Sequence, residues 1–508
     1  MCSGIGDDEC SLGSRNSKKR EIPLCSPPQS GTRKKCVGDN NKPLPFALYT
    51  NMSQRKINIV LILLMLLMVS LASCRKEEQH GGDVERLQFS CDTLSFDTVF
   101  TQMGTTTRQF KVYNRGSEIV VLDEVTLEGG RASRFRLNVD GDTSLSAQDV
   151  RIDPGDSIFV FVRANINPNL ATEPFLIEDA ILFRKGNNER RIPLTAYGRN
   201  AVYHVPTDTI HYADGTYPID NFGKPYAYSV IDCEHWQHDM PHVIVGYAVV
   251  DSRQTLHLRE GDELYFCEDA VLWVYDSATL DARGTEGSPV LFTSVRHDGW
   301  YGQLPGQWGY IWLSAGSRNN VMMNTVVENA FVGILVDSCV NANPTLNIRN
   351  SQVRNHSMAG IIGQTSRIYG SNLLVVNCGQ ATVAMQYGGN YRFEGCTFAD
   401  YWRYDARKTP CVVISNSWEV NGVEYVRPMQ AQLTDCIIYG NRTDGELGLY
   451  LNYNGPASAV FTNCLVRGGE WDEDPKFIDP QGGDFHLMED SPAWGIGYQY
   501  AQSVQEKH

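Results

Sequence analysis

NTVVENAFVGILV, residues 324–336, opens on a phrase that returns five times further down the chain. The copies are Asn350-Ser351-Gln352-Val353, Ser371-Asn372-Leu373-Leu374, Gly395-Cys396-Thr397-Phe398, Asp435-Cys436-Ile437-Ile438 and Asn463-Cys464-Leu465-Val466. Each sets small polar residues before apolar ones. Aligned on Thr325, the second positions step by 26, 21, 24, 40 and 28 residues. Short apolar strands recurring with a period in the low twenties are the mark of a parallel β-helix, one period to each turn of the solenoid. The 40-residue step leaves about 15–20 residues over, an insertion expected within 401–430. In this register Cys396, Cys436 and Cys464 fall at one position of successive turns. Small side chains stacked in a solenoid interior fit without strain, and a free Cys behaves as a small hydrophobe. A buried ladder is therefore expected over metal ligands or disulfides, and a serine at 436 is expected to cost about 1–3 kcal/mol.

The same texture extends both ways. Upstream, residues 256–293 read LHLREGDELYFCEDAVLWVYDSATLDARGTEGSPVLFT, short strands parted by Gly and Asp turns. From 86 to 200 the spacing changes to alternating strands such as RQFKVY (108–113) and SIFVFVR (157–163), separated by Asn114-Arg115-Gly116 and Pro154-Gly155-Asp156. That pattern indicates a β-sandwich. The chain thus divides into a sandwich at 86–200, a connecting segment and helix entry at 201–250, and a β-helix at 251–500.

Before them, INIVLILLMLLMVSLA (57–72) follows Arg55-Lys56 and ends at Leu71-Ala72-Ser73-Cys74. A basic flank and an apolar run too short to span a bilayer comfortably describe a signal peptide. Met52 would start it at the usual place, making 52–74 the signal, 75–85 a polar tether, and 1–51 a gene-model artefact or disordered leader.

Four resemblances follow from these residues. LASC resembles the lipobox of bacterial lipoproteins, which implies acyl chains on Cys74; several chains, at about 0.8 kcal/mol per buried CH₂, anchor a protein stably. Lys76, Glu77 and Glu78 resemble the lipoprotein export signal of the Bacteroidetes, which implies the outer face of the outer membrane. VYNRGSEIVVL, IDPGDSIFVFVRA and RRIPLTAYGRN resemble an immunoglobulin-like domain of the abnormal-spindle/major-sperm-protein type. VLWVYDSATLDARGTEGSPVLFTS, PGQWGYIWL and DPKFIDPQGGDFHLMEDSPAWGIG resemble Bacteroidetes lipoproteins with a right-handed parallel β-helix of the pectate-lyase-like kind. The fold class implied is all-β: immunoglobulin-like sandwich plus right-handed β-helix, after a lipoprotein signal.

Charge narrows the partners. The chain carries 44 Lys/Arg and 59 Asp/Glu, net −15. The first 74 residues hold 10 and 5 of these, leaving 34 against 54, so the body is strongly acidic. It does not seek nucleic acid, and it disfavours loose binding of anionic polymers except through a local basic groove. The expected partners are a membrane, through the lipid, and a glycan or an envelope protein. No cofactor beyond the lipid on Cys74 is implied.

Catalytic equipment is sparse. Hydrolases of this fold set two carboxylates on neighbouring turns, but residues 320–400 supply only Glu328, Asp337, Glu394 and Asp400. A lyase arrangement of Arg403, Arg407 and Lys408 near Asp400 and Asp405 reads more simply as a solvated loop. Cys233, His235, His238, Asp239 and His242 have no recognised metal-ligand spacing. No catalytic or metal residue is assigned. The insertion draws attention because it gathers Tyr401, Trp402, Tyr404, Trp418 and Tyr425. Aromatic faces stack on sugar rings, so Trp402, Tyr404, Trp418 and Tyr425 are expected to line a recognition surface, with Arg403 and Arg407 available for acidic groups. The function expected is a non-catalytic binding or adhesion protein. A polysaccharide lyase or hydrolase and a structural envelope component are the alternatives.

Overall fold

A computed structural model describes residues 83–103, 107–169, 174–212, 215–219, 225–296, 299–338 and 345–500. Cys74, Lys76, Glu77 and Glu78 lie outside the described residues.

The described chain is almost entirely strand. Its first part is a two-sheet sandwich. Leu87–Phe89, Arg108–Asn114, Ser157–Ala164 and Phe135–Val139 form one sheet in that order. Leu94–Phe100, Asn188–Arg199, Phe175–Lys185, Val120–Leu127 and Ser146–Ile152 form the other. Strict alternation makes this possible. Along Ser157–Ala164, Ile158, Val160, Val162 and Ala164 are buried while Phe159, Phe161 and Arg163 face out. The inward set meets Val112, Leu122, Phe135 and Phe183 in one core.

Strand Asn188–Arg199 leads straight into the second body, whose parallel ladder starts where Val202 pairs with His242. The joint is packed. Phe100 meets Tyr265 edge to face at 4.7 Å, Arg199 pairs with Glu263 at 2.5 Å, and the Tyr203 hydroxyl donates to the Thr101 carbonyl.

From there a 24-stranded sheet winds as a parallel β-helix with three walls. The first wall runs through Tyr247–Val250, Val271–Val274, Ile311–Leu313 and Val332–Val336, the starts of Ala359–Cys378 and Ala381–Glu394, then Val412–Ser415 and Leu447–Tyr450. The second includes Thr255–Arg259, Thr279–Arg283, Asn320–Met323, Met429–Thr434 and Ala457–Thr462. The third includes Glu263–Phe266, Val290–Ser294, Thr325–Glu328, Thr397–Asp400 and Ile437–Gly440. One continuous apolar core fills the coil, from Ile231 and Trp236 to Val466.

The recurring phrase is the corner between second and third walls. Asn324, Asn350, Asn372, Gly395, Asp435 and Asn463 all have positive φ, from 48° to 59°. Asn, Asp and Gly enter that left-handed region most readily, so these residues mark the corner. Asn372 belongs with Asn350, to which its amide donates at 3.0 Å. Leu373, and not Asn372, therefore occupies the inward position pairing with Ser351. The sequence alignment is one residue out of step in that copy, and the true inward ladder is Thr325, Ser351, Leu373, Cys396, Cys436 and Cys464.

The ladder has a chemical reason. The Ser351 hydroxyl donates to the carbonyl two residues back, Arg349, at 2.7 Å. Cys396, Cys436 and Cys464 do the same to Glu394, Thr434 and Thr462 at 3.2–3.3 Å. A short X–H side chain after the bend thus gives a second hydrogen bond to carbonyls that already accept a corner N–H from the neighbouring turn, as Arg349 does from Asn324, Thr434 from Gly395 and Thr462 from Asp435. All three cysteines are free thiols; Cys396 and Cys436 are fully buried, and Cys464 partly so.

The residues after 473 return over the outside of the third wall. Phe477, Phe485, Ala493 and Ile496 pack on Leu374, Val376, Ala399, Ile437 and Tyr439. The tail is tied to three turns in succession: Gly497 N–H to the Asp435 carbonyl at 2.8 Å, Tyr498 N–H to Thr397 Oγ1 at 2.9 Å and Gln499 N–H to Asn372 Oδ1 at 2.7 Å.

Candidate functional site

The three walls differ in what they show outward. The third is covered from Leu374 onward by the returning tail, and its first turns, at Val243 and Tyr265, pack against Phe100. The second shows polar residues that satisfy one another: Tyr369 donates to Glu394 at 2.8 Å, which also pairs with Arg392. The first wall is apolar outside as well as inside. Leu272 and Val274, Ile311 and Leu313, Val383 and Met385, Val412 and Ile414 point into the core, so the residues between them point out. These pair in one ladder: Val249, Trp273, Trp312, Leu335, Ile362, Ala384 and Val413. At about 4.8 Å per strand the row is about 29 Å long; within it Val249, Ile362 and Ala384 are buried, and Trp273, Trp312, Leu335 and Val413 are half-buried. Trp273 and Trp312 stack 4.8 Å apart at 12°. Ile362 and Ala384 join Val332, Ala359 and Ala381 in an outer apolar cluster, with Tyr310, Leu335 and Val413 at its margin. Beside the ladder runs a polar row in which Gln364 pairs with Gln386. Asp337 lies in that row and accepts from the Trp312 indole N–H at 2.8 Å. Burial raises its carboxyl above the ordinary value.

The insertion proves to be two elements, one at each edge of this wall. Residues 401–411 precede strand Val412–Ser415, and hairpin Ser417–Val420/Val423–Val426 follows it. The six sequence-selected residues are therefore divided. Trp418 and Tyr425 pair across the hairpin and stack at 5.3 Å and 19°. Tyr387, from the preceding turn, meets Trp418 at 5.3 Å, and Arg427 lies over the same ring. Val420 and Val423 continue this hairpin face and are about half exposed, while Glu419 and Glu424 take the other. Sequence reading missed Tyr387. Its positive φ of 60° and the Gly388-Gly389 beside it were the available signal.

At the opposite edge, Tyr404 is exposed and its hydroxyl donates to the Gln303 carbonyl at 2.9 Å. Arg403 lies over the Tyr404 ring. Trp402 and Arg407 do not meet the expectation of a solvent-facing surface. Trp402 is 8% exposed, lies against Gly379, and donates its indole N–H to Asp405 at 2.5 Å. The Arg407 side chain is 1% exposed, between the fully buried Asp400 and Glu446. Its Nη1 donates to Glu446 at 2.7 Å and to the Thr409 carbonyl at 2.8 Å, and Nη2 reaches the other Glu446 oxygen. The lyase reading of Arg407 with Asp400 places both in the interior, away from any substrate.

One cation and two carboxylates share that interior, so one carboxylate is best neutral. Burial pushes Asp400 up to about 8, against the opposing pull of Arg407. Its Oδ1 accepts from the Cys378 and Trp402 amides at 3.3 and 3.1 Å, while Glu446 accepts from the Cys411 and Arg442 amides at 2.9 and 3.0 Å. The network ties residues 401–411 to the coil.

The histidines near 240 serve packing. Trp236 and His242 stack at 3.5 Å, His204 joins them, and burial lowers His242 to about 3 and His204 to about 4. His235 and His238 each turn to a separate carboxylate, Asp232 and Asp262.

Residues 310–472, about a third of the chain, match the family described as right handed beta helix region. No curated protein matches the sequence. Among solved structures, an α-1,3-glucanase catalytic unit from Streptomyces thermodiastaticus is 10% identical over 70% of this chain and 74% of its own, at a TM-score of 0.28. A family 123 glycoside hydrolase from Clostridium perfringens is 8% identical over 22% of this chain, at 0.16. The Vibrio cholerae VesB protease is 11% identical over 22%, at 0.15. This chain spans about a quarter of that hydrolase and about a third of the protease. Likenesses this slight carry neither an activity nor a substrate to this chain.

Proposed function

We propose that this protein is a lipid-anchored surface lipoprotein that holds a glycan chain along the outer first wall of its β-helix, in a binding rather than a bond-breaking role. The observation that carries the reading is the outward ladder through Trp273 and Trp312, which lies beside a polar row and between two aromatic insertions. Indole faces receive the C–H faces of sugar rings. Gln364, Gln386 and Asp337 offer hydrogen bonds to hydroxyls at the same strand spacing. Trp273 and Trp312 are half-buried and stack on one another, so such a chain would meet their outer edges together with the exposed rings of Tyr404 and Tyr425 at the margins. The lipobox at Cys74, with Lys76, Glu77 and Glu78 behind it, supports attachment to the outer membrane facing outward.

The test is a glycan array probed with the purified chain, followed by titration of the best hit. Trp312→Ala and Trp418→Ala should each weaken binding at least tenfold, with melting within a few degrees of the parent. An array without hits, or variants that bind like the parent, would end the proposal. A second reading, turnover of the bound glycan, is favoured by one group, Asp337, a carboxyl raised by burial against an indole floor. It requires product formation that Asp337→Asn abolishes.

A further inference from the structure

The sandwich carries a second surface of a different chemistry. Outward positions on Arg108–Asn114, Phe135–Val139 and Ser157–Ala164 are Gln109, Lys111, Tyr113, Arg136, Asn138, Ser157, Phe159, Phe161 and Arg163. No carboxylate stands at any of them, in a chain of net charge −15. The register brings them together, pairing Lys111 with Phe159, Gln109 and Asn138 with Phe161, and Arg136 with Arg163. Phe159 and Phe161 lie 5.8 Å apart at 21°, with the Lys111 ammonium 4.4 Å from the Phe159 ring.

The opposite sheet shows what the same protein does with cations that have no ligand to meet. There Arg184 pairs with Glu124 and Glu189, Arg191 with Glu128 and Arg151 with Asp153, at 2.7–2.9 Å. On the first sheet Lys111, Arg136 and Arg163 have no ion pair among the described residues. Arg136 is oriented by backbone carbonyls instead, those of Ser133 and Phe135 at 2.8 and 2.7 Å, which leaves its charge unneutralised. Beside it a half-open cavity of about 420 Å³ is lined by Arg136, Asn138, Phe161, Arg163, Ser144 and Leu145, among others.

We propose that this face binds a negatively charged polysaccharide, one whose repeating unit carries a carboxylate or a sulfate. Each group on the face answers a part of such a unit. The guanidinium groups take the anion as paired N–H donors, the amides of Gln109 and Asn138 take hydroxyls, and the phenyl rings take the C–H face. An acidic polypeptide would use the cations but would have no call on the amide and ring array. The local charge draws an anion to this one side of an otherwise repelling body. The site is separate from the β-helix wall, and it would give the protein two points of attachment to carbohydrate.

The chain from residue 75 to 508 is titrated at low and physiological salt with polygalacturonate, dextran sulfate, unmodified dextran and poly-glutamate. The expected result is binding to polygalacturonate or dextran sulfate, weakened by salt, and absent with dextran. The better of those two arms distinguishes carboxylate from sulfate recognition. The double variant Lys111→Gln/Arg163→Gln should bind at least tenfold more weakly, and Phe161→Ala at least threefold, with unchanged melting. The control Arg184→Gln/Arg191→Gln, on the opposite sheet, should bind like the parent, which separates this face from the rest of the sandwich. No binding to either charged glycan, retained binding in the Lys111/Arg163 double variant or in Phe161→Ala, or poly-glutamate binding as tightly as the glycans would overturn it.

Discussion

At the scale of single residues, two positions convert geometry into measurable stability. Cys436 gives its thiol hydrogen to the Thr434 carbonyl, and Ser351 shows that a hydroxyl does the same at the same place. Cys436→Ser should therefore stay within about 1 kcal/mol of the parent, less than the sequence-based expectation. Cys436→Val, which abandons the carbonyl and crowds the corner, should cost about 1–3 kcal/mol. Urea unfolding ranks the two, and the reverse order would remove the bond from the explanation. Asp400 is the other position. Its carboxyl titrates near 8 when folded and near the ordinary carboxylate value when unfolded, so the folded state binds its proton more tightly. Its contribution is fully present below the ordinary value and is lost as pH rises to about 8, at up to about 1.4 kcal/mol per pH unit. Asp400→Asn cannot ionise and should remove that slope. Melting curves from pH 4.5 to 8.5 that run parallel for parent and variant would show that the carboxyl is not held neutral.

At the scale of elements, the two halves of the insertion should respond oppositely. One turn earlier, the chain crosses from Met385 to Gly389 without a hairpin, at the corner where Ser417–Val426 leaves the coil. Replacing Ser417–Val426 by a short turn should leave the melting temperature within a few degrees. Trp402→Ala, by contrast, empties a buried site and should cost about 3–5 kcal/mol. An excision that unfolds the chain, or a Trp402 variant that melts like the parent, would reverse the assignment. The sequence showed the length of this insertion plainly, because a 40-residue step stands out among steps near 25. It hid the division, since Val412-Val413-Ile414-Ser415 is too short to betray itself as a wall strand between two excursions. It also hid the interior place of Arg407, whose carboxylate partner Glu446 lies 39 residues further on; a charged residue in a polar loop reads as solvated. The corner asparagines were legible because left-handed φ restricts the residue type. Leu373 was misaligned because its corner residue, Asn372, also looks like a small polar ladder member. Tyr387 and the outward Trp273–Trp312 stack went unseen, since a strand buried on one face and apolar on the other gives no alternation to read.

At the scale of the whole molecule, the order of parts gives the expected display: tether, sandwich, then β-helix. Cys74→Ala should abolish incorporation of a palmitate analogue and leave the protein unprocessed or released, and labelling that survives would rule out the lipobox. Alanines at Lys76, Glu77 and Glu78 should reduce protease shaving of intact cells. On the proposed attachment at Cys74, the joint at Phe100, Tyr265, Arg199 and Glu263 would come between the anchor and whatever the β-helix holds. The tail that crosses the third wall affects the array in another way. A solenoid whose turns answer only to their neighbours frays from its free end, losing one turn at a time. Here Gly497, Tyr498 and Gln499 hydrogen-bond to the turns of Asp435, Thr397 and Asn372. Peeling the outermost turns must also release that strap, so three interior turns lose partners at once. The distal half is thereby bound into a single cooperative unit, which opens together or stays shut.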